Sequence, residues 1–152
     1  MAKIVNTAFV KQIAFQWDST TRVFQMDSMR VNPVEDSRIY TLSNGNKKSI
    51  LIHLWLEFDI SFRYAKRISP NASVNNDLID VINNINDPNK AVTLYPIYNI
   101  DNTVNYEVIK NGNLKSIITI DRFKNIPQFN MKVITNSSMS SYPTWLRNTR
   151  IL

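Results

Sequence analysis

Between residues 50 and 64 the even positions read Ile50, Ile52, Leu54, Leu56, Phe58, Ile60, Phe62 and Tyr64, while the odd positions read Leu51, His53, Trp55, Glu57, Asp59, Ser61 and Arg63. Apolar side chains recurring at period two share one face of an extended chain, so this segment predicts a single long amphipathic strand. At about 3.3 Å per residue it would span roughly 50 Å, far beyond the usual strand of about five or six residues. A strand of that length must cross a sandwich edge to edge, bend between two sheets, or project as an arm. Leu51 and Trp55 interrupt the polar face, which points to a first half covered on both sides.

Other segments punctuate the chain with turns. Residues 38–42 (Arg38, Ile39, Tyr40, Thr41, Leu42) form a short run separated from the long strand by Asn44-Gly45, a dipeptide tolerant of positive φ and suited to a tight type I′ turn. A second hairpin is expected from residues 104–109 and 114–120 around Asn111-Gly112, and a third from residues 12–17 and 22–26 joined by Asp18, Ser19, Thr20 and Thr21. One stretch changes period. From Ser73, a suitable N-cap, Val74, Leu78, Val81, Ile82 and Ile85 recur on one helical face, with Asp77 in the first turn and Pro88 beyond the end. Residues 92–95 read as a strand ending at Pro96, and residues 129–134 as the last strand. Strands joined by turns around one helix predict a mainly β (α+β) fold, an antiparallel β sandwich or split barrel with one short helix near residues 74–85. The expected organisation is a single β-rich domain over residues 1–136 and an extended polar C-terminal arm over residues 137–152.

The composition narrows the chemistry. At 152 residues, 43% hydrophobic and 20% charged, the chain can bury a core without staples, and with no cysteine it has no disulfides, thiol nucleophiles or cysteine metal sites. Eighteen Lys and Arg against twelve Asp and Glu give a formal charge of +6 and a pI of about 9.7, which permits attraction to nucleic acid or anionic surfaces. The basic residues are scattered, however, in close groups no larger than Lys47 beside Lys48, Lys66 beside Arg67, and Arg147 near Arg150. No apolar run is long enough to span a membrane and the first residues lack a signal-peptide pattern, so a soluble protein made in the cytoplasm, with no membrane partner, is expected.

Catalytic constellations are sparse. Glu57 and Asp59 share a strand face roughly 7 Å apart, a spacing that glycosidic carboxylate pairs use, but a solvated face with cross-strand ion pairs is the favoured explanation. His53, the one histidine, has no nucleophile motif beside it. Asp77 and Asp80 read as capping and solvation, and Asp27, Glu35 and Asp36 lack calcium-loop spacing. Two glycines cannot build a phosphate-cradling loop. No enzyme and no cofactor are expected. Arg63, Tyr64, Lys66 and Arg67 gather at the end of the long strand as a nucleic-acid surface would need, yet Phe58, Phe62 and Tyr64 belong to its apolar face.

An excess of large apolar side chains remains. Trp17, Trp55, Tyr95, Tyr98, Tyr142 and Trp145 do not all fit the core faces of these strands, and with Leu146 and Arg147 they form the candidate interface. The order of elements resembles bacteriophage tail proteins, in particular hub-type proteins of the distal tail and baseplate. The resemblance rests on the strand at 50–64, the helix at 74–85, the step Leu94-Tyr95-Pro96 and the hairpins that follow, and it covers residues 38–135. It implies a structural subunit of a virion tail, assembling with copies of itself into a ring or a tube and baseplate connector beside other tail proteins, with no catalytic residue to carry over. A basic β domain binding single-stranded nucleic acid is the alternative. On the assembly reading, removing residues 137–152 is expected to weaken association more than folding.

Overall fold

The computed structural model describes residues 3–5, 12–25, 27–63, 66–67, 74–110 and 128–148. The elements in chain order are β1 (Lys3–Val5), β2 (Gln12–Trp17), β3 (Thr20–Gln25), β4 (Ser28–Thr41), β5 (Lys47–Arg63), β6 (Lys66–Arg67), α1 (Val74–Asn86), β7 (Val92–Tyr95), β8 (Tyr106–Lys110), β9 (Gln128–Thr135) and α2 (Trp145–Asn148). The protein is mainly β, with the nine described strands in one antiparallel sheet ordered β1-β4-β5-β9-β8-β7-β2-β3-β6.

Connectivity forces that sheet to roll. β3 ends at Gln25 and β4 begins at Ser28, yet they occupy the eighth and second positions of the order. In a flat sheet six strand spacings would separate them by about 29 Å, whereas three virtual Cα–Cα bonds reach at most about 11 Å. The step from Arg63 on β5 to Lys66 on β6 spans the third and ninth positions under the same limit. Both corners close only if the edges curl together, which makes the sheet a split barrel, and at the first corner Asp27 N–H donates to Ser61 C=O at 2.9 Å, prolonging the β4–β5 ladder.

The inward face follows from period two. Ile13, Phe15 and Trp17 on β2, Phe24 on β3, Met29 and Val31 on β4, Leu56, Phe58 and Ile60 on β5, Leu94 on β7 and Val133 on β9 all join one buried cluster. Val81 of α1 enters the same cluster, so the helix closes the core with its apolar stripe. Its bounds, Val74–Asn86, follow the expected helix, and β7 stops before Pro96 as expected.

Three turn readings are refined. The β2–β3 hairpin turns on Asp18 and Ser19 alone, because Trp17 pairs with Thr20 and Asp18 takes φ +51°, a conformation that Asp tolerates. At the β4–β5 tip only Gly45 has positive φ, +87°, so the expected type I′ turn is replaced by a three-residue loop. Gly45 N–H donates to Leu42 C=O at 2.9 Å and Leu42 N–H to Asn46 C=O at 2.7 Å, the pattern of a type I turn closed by a left-handed glycine. Residues 106–110 form β8 between β7 and β9, while the partner run at 114–120 lies outside the described residues.

The C-terminal segment departs from expectation most. Trp145 and Leu146 are not exposed anchors: they are 7% and 3% accessible and belong to the core. The Trp145 ring stacks on Phe58 at 6.5 Å between centroids with an 11° interplanar angle, and its Nε1–H donates to the Tyr106 hydroxyl at 2.5 Å. Burial raises the Tyr106 pKa above the ordinary phenol value, against the lowering effect of that hydrogen bond. Trp17, at 8%, is also a core residue and not an interface residue of this chain. The physical reason is geometric, since α2 returns over an open part of the barrel that strand faces alone leave unfilled.

The tail therefore contributes to folding directly, through Trp145 and Leu146. Trp145→Ala is expected to cost about 3–5 kcal/mol, in the range for a buried aromatic replaced by alanine, when measured by urea unfolding. Deleting residues 144–152 should destabilise the fold at least as much. An unchanged urea midpoint in either variant would contradict the packing.

Candidate functional site

The distinctive feature of the surface is a ribbon that outgrows the barrel. β4 and β5 pair from Ser28↔Ser61 to Thr41↔Lys47, but β9 accompanies β5 only from Arg63 to Glu57, and β1 accompanies β4 only at Met29, Arg30 and Val31. The ladder stops for an identifiable reason. Leu56 N–H, the next donor after the β9 pairing, takes the hydroxyl of buried Thr135 at 3.1 Å. Leu54 then exchanges both backbone bonds with Met139, at 3.0 and 2.8 Å. From Ser37 to the tip and back to Leu51 the two strands have no other described strand partner, and they form an arm about 20 Å long at the usual rise per residue.

A bulge marks the base of this arm. The register steps from Asp36↔His53 to Ser37↔Leu51, leaving Ile52 as an extra residue on β5. β4 carries no such insertion, so its odd positions keep the facing of Met29 and Val31 out to Ile39. On β5 the alternation reverses at Ile52, and the uninterrupted period-two face expected for residues 50–64 is therefore broken. The outcome is that apolar groups emerge on both sides of the arm: Ile39 is 71% accessible, Tyr40 43% and Ile50 46%. Arg38, Lys47 and Lys48 are exposed with them, and no carboxylate occurs between Ser37 and Leu51.

The segment after β9 straps the base. Besides the Leu54–Met139 bridge, Ser138 Oγ lies 3.0 Å from His53 Nδ1, and the Tyr142 hydroxyl donates to Glu35 Oε1. The hydrogen bond to Glu35 pushes the Tyr142 pKa up to about 12, because ionisation would set a phenolate against the carboxylate. His53 packs beside Trp55 with centroids 5.5 Å apart. The lone histidine thus has a structural place at the arm base.

Of the candidate interface residues, half-buried Trp55 pairs with Val34 and exposed Tyr142 bonds to the adjacent Glu35, so both lie along this base without being in described contact with each other. Tyr95 and Tyr98 are half-buried elsewhere, 5.9 Å apart between centroids, and the Tyr95 hydroxyl donates to Gln16 at 2.6 Å. The Arg147 side chain and those of Arg63, Tyr64, Lys66 and Arg67 lie outside the described residues. Ile39, Tyr40 and Ile50 were legible only as strand residues, since no local pattern says where a strand loses its neighbours.

The carboxylate pair does not converge on one cavity. Glu57 accepts from Asn32 Nδ2 at 3.2 Å, while Asp59 stands in register between Arg30 and Lys132. A cleft of about 410 Å³ on the outer sheet face is lined by Ser28, Met29, Arg30, Asp59, Ser61, Asn130 and Lys132, without Glu57. Alternating charge along a cross-strand row accounts for that polarity. Among the described residues no three His, Asp or Glu side chains gather as a metal would need, and no helix is long and apolar enough to cross a membrane.

No known family model, curated protein or solved structure matches the chain. The strap makes its own prediction. In an ultraviolet titration of tyrosinate, Tyr142→Phe should remove a phenol that ionises near pH 12. Because the folded-state value lies above the ordinary phenol value of about 10, the contact's stabilising effect is intact below about pH 10 and lost as pH rises through about 12. A tyrosine titration unchanged by the substitution would mean that Tyr142 is not held against Glu35.

Proposed function

We propose that the protein is a structural subunit of a virion tail, which associates with copies of itself into a ring or tube and contacts other tail proteins there. The observation that carries this reading is the β4–β5 arm. A two-stranded ribbon standing alone in water is marginal, since it buries little on either face. Here such a ribbon is extended well past the barrel and displays Ile39, Tyr40 and Ile50. Exposed aliphatic and aromatic groups beside Arg38 match the composition of a protein contact, with Lys47 and Lys48 suited to its polar rim. The aliphatic pair also weighs against the nucleic-acid alternative, because Ile39 and Ile50 offer no ring on which a base could stack.

The arm is built for pairing but guarded against indiscriminate pairing. Pro33 removes a donor from the outer edge of β4, and Lys47 and Lys48 put charge at the tip, two devices that discourage edge-to-edge aggregation. A projection strapped at its base gives each copy a set direction of approach toward a neighbour. The virion-tail part of the reading draws on the resemblance of element order to hub-type tail proteins.

Light scattering coupled to size exclusion, with electron microscopy of the same fractions, tests the reading. The full chain should be a closed oligomer or a tube. A variant in which residues 38–50 are replaced by Asn-Gly, joining Ser37 to Leu51 by a short turn, should remain folded by near-ultraviolet circular dichroism and become monomeric. A monomeric full chain across the accessible concentration range, or undiminished assembly of the trimmed chain, would overturn it.

A further inference from the structure

We infer that the arm of one copy seats against the outer side of α1 and the turn that follows it on the next copy, in a head-to-tail contact. The inference rests on the assembly reading above and names the surface that reading leaves open.

Charge first removes the simplest alternative. Two arms paired with each other about a two-fold axis would bring Arg38, Lys47 and Lys48 of one copy against the same three residues of the other, with no carboxylate between Ser37 and Leu51 to offset them. Like charges facing across strands destabilise the pairing. The arm therefore calls for an anionic counter-surface.

The chain supplies one. From Ser73 to Ile109 it holds five carboxylates, Asp77, Asp80, Asp87, Asp101 and Glu107, against the single lysine Lys90, within a molecule whose overall charge is +6. Lys90 is already engaged, its Nζ lying 2.6 Å from Asp18 Oδ2. α1 has no basic residue in its last turn, where the carbonyl ends of the helix favour a cation, and Asp87 follows directly. Asp80 is exposed on the same helix, and Asp87 is half-buried. The end of α1 is thus a negative surface that this chain leaves without a described cation apart from Lys90.

The placement of the two surfaces supports a head-to-tail arrangement. Glu57 pairs with Ile134, Ile134 with Ile109, and β7 and β2 continue the sheet toward the turn at Asp18. The arm leaves β5 on the Trp55 side of Glu57, the direction in which β7 runs from Val92 to Tyr95. The turn at residues 87–90, with Asp18 beside it, precedes Val92 and so lies at the opposite end of the strands. A basic projection at one end and a negative helix terminus at the other give a contact between unlike surfaces. Such a contact repeats from copy to copy and generates a ring when its rotation closes, or an open filament when it does not.

A charge exchange tests the inference in the full chain. Lys47→Glu with Lys48→Glu, and separately Asp80→Lys with Asp87→Lys, should each weaken association by about tenfold or more in low salt. Combining all four substitutions should recover most of the loss, because the pairing is restored with its signs inverted. Lys47, Lys48 and Asp80 are exposed and Asp87 sits half-buried in a turn, so circular dichroism of each variant monitors folding. Two losses without recovery, or no loss in the α1 variant, would overturn the docking surface while leaving the assembly reading intact if the trimmed-arm chain is still monomeric. A full chain that never associates would overturn both.

Discussion

The roll of the sheet is the constraint on which the rest depends. Two corners of two residues each, after Gln25 and after Arg63, carry the chain between strands that a flat sheet would hold about 29 Å apart. Once the edges are drawn together, the inward positions of β2, β3, β4, β5, β7 and β9 face one another and a single core fills the interior. The same closure fixes the length of β5 that the barrel can use. What exceeds it has no sheet to join, so the arm is the surplus of a long strand over a short barrel.

Much of this architecture was legible in the sequence because it is written in local periodicities. The alternation through Leu54, Leu56, Phe58 and Ile60 gives a strand and its inward face, and the spacing of Val81, Ile82 and Ile85 gives the helix. Other features depend on partners distant in the chain. Residues 28–37 join β4, although Pro33 and a polar run from Glu35 to Arg38 obscure any strand pattern, because β5 offers them a complete ladder. The bulge at Ile52 is equally silent, since the residues around it alternate without a break and only the register with β4 exposes the insertion.

The tail shows why a candidate site is harder to read than a fold. Trp145 and Leu146 follow a stretch rich in serine and asparagine, a context that suggests an exposed anchor. They are instead core residues, for a reason lodged in Phe58 and Tyr106 rather than in their own neighbours. The aromatic surplus counted along the chain was real, but two of its members, Trp17 and Trp145, fill the barrel, and the arm exposes Ile39, Tyr40 and Ile50 instead. Strand faces can be assigned from parity, whereas the point at which a strand runs out of neighbours is a property of the whole sheet.

Core and arm are mechanically coupled through the strap. Thr135 ends the β9 ladder, Met139 bridges Leu54, Tyr142 holds Glu35, and a few residues later Trp145 is fixed against Phe58. Each contact is modest alone, but they act in series on one short segment anchored at both ends. The base of the arm therefore inherits its orientation from the packed interior, and freedom is left mainly to the tip beyond the bulge. On the proposed assembly, in which identical neighbours would meet at a repeated angle, this division is physically apt: the barrel sets direction, and the uncovered ribbon keeps enough apolar surface to be ordered by whatever it touches.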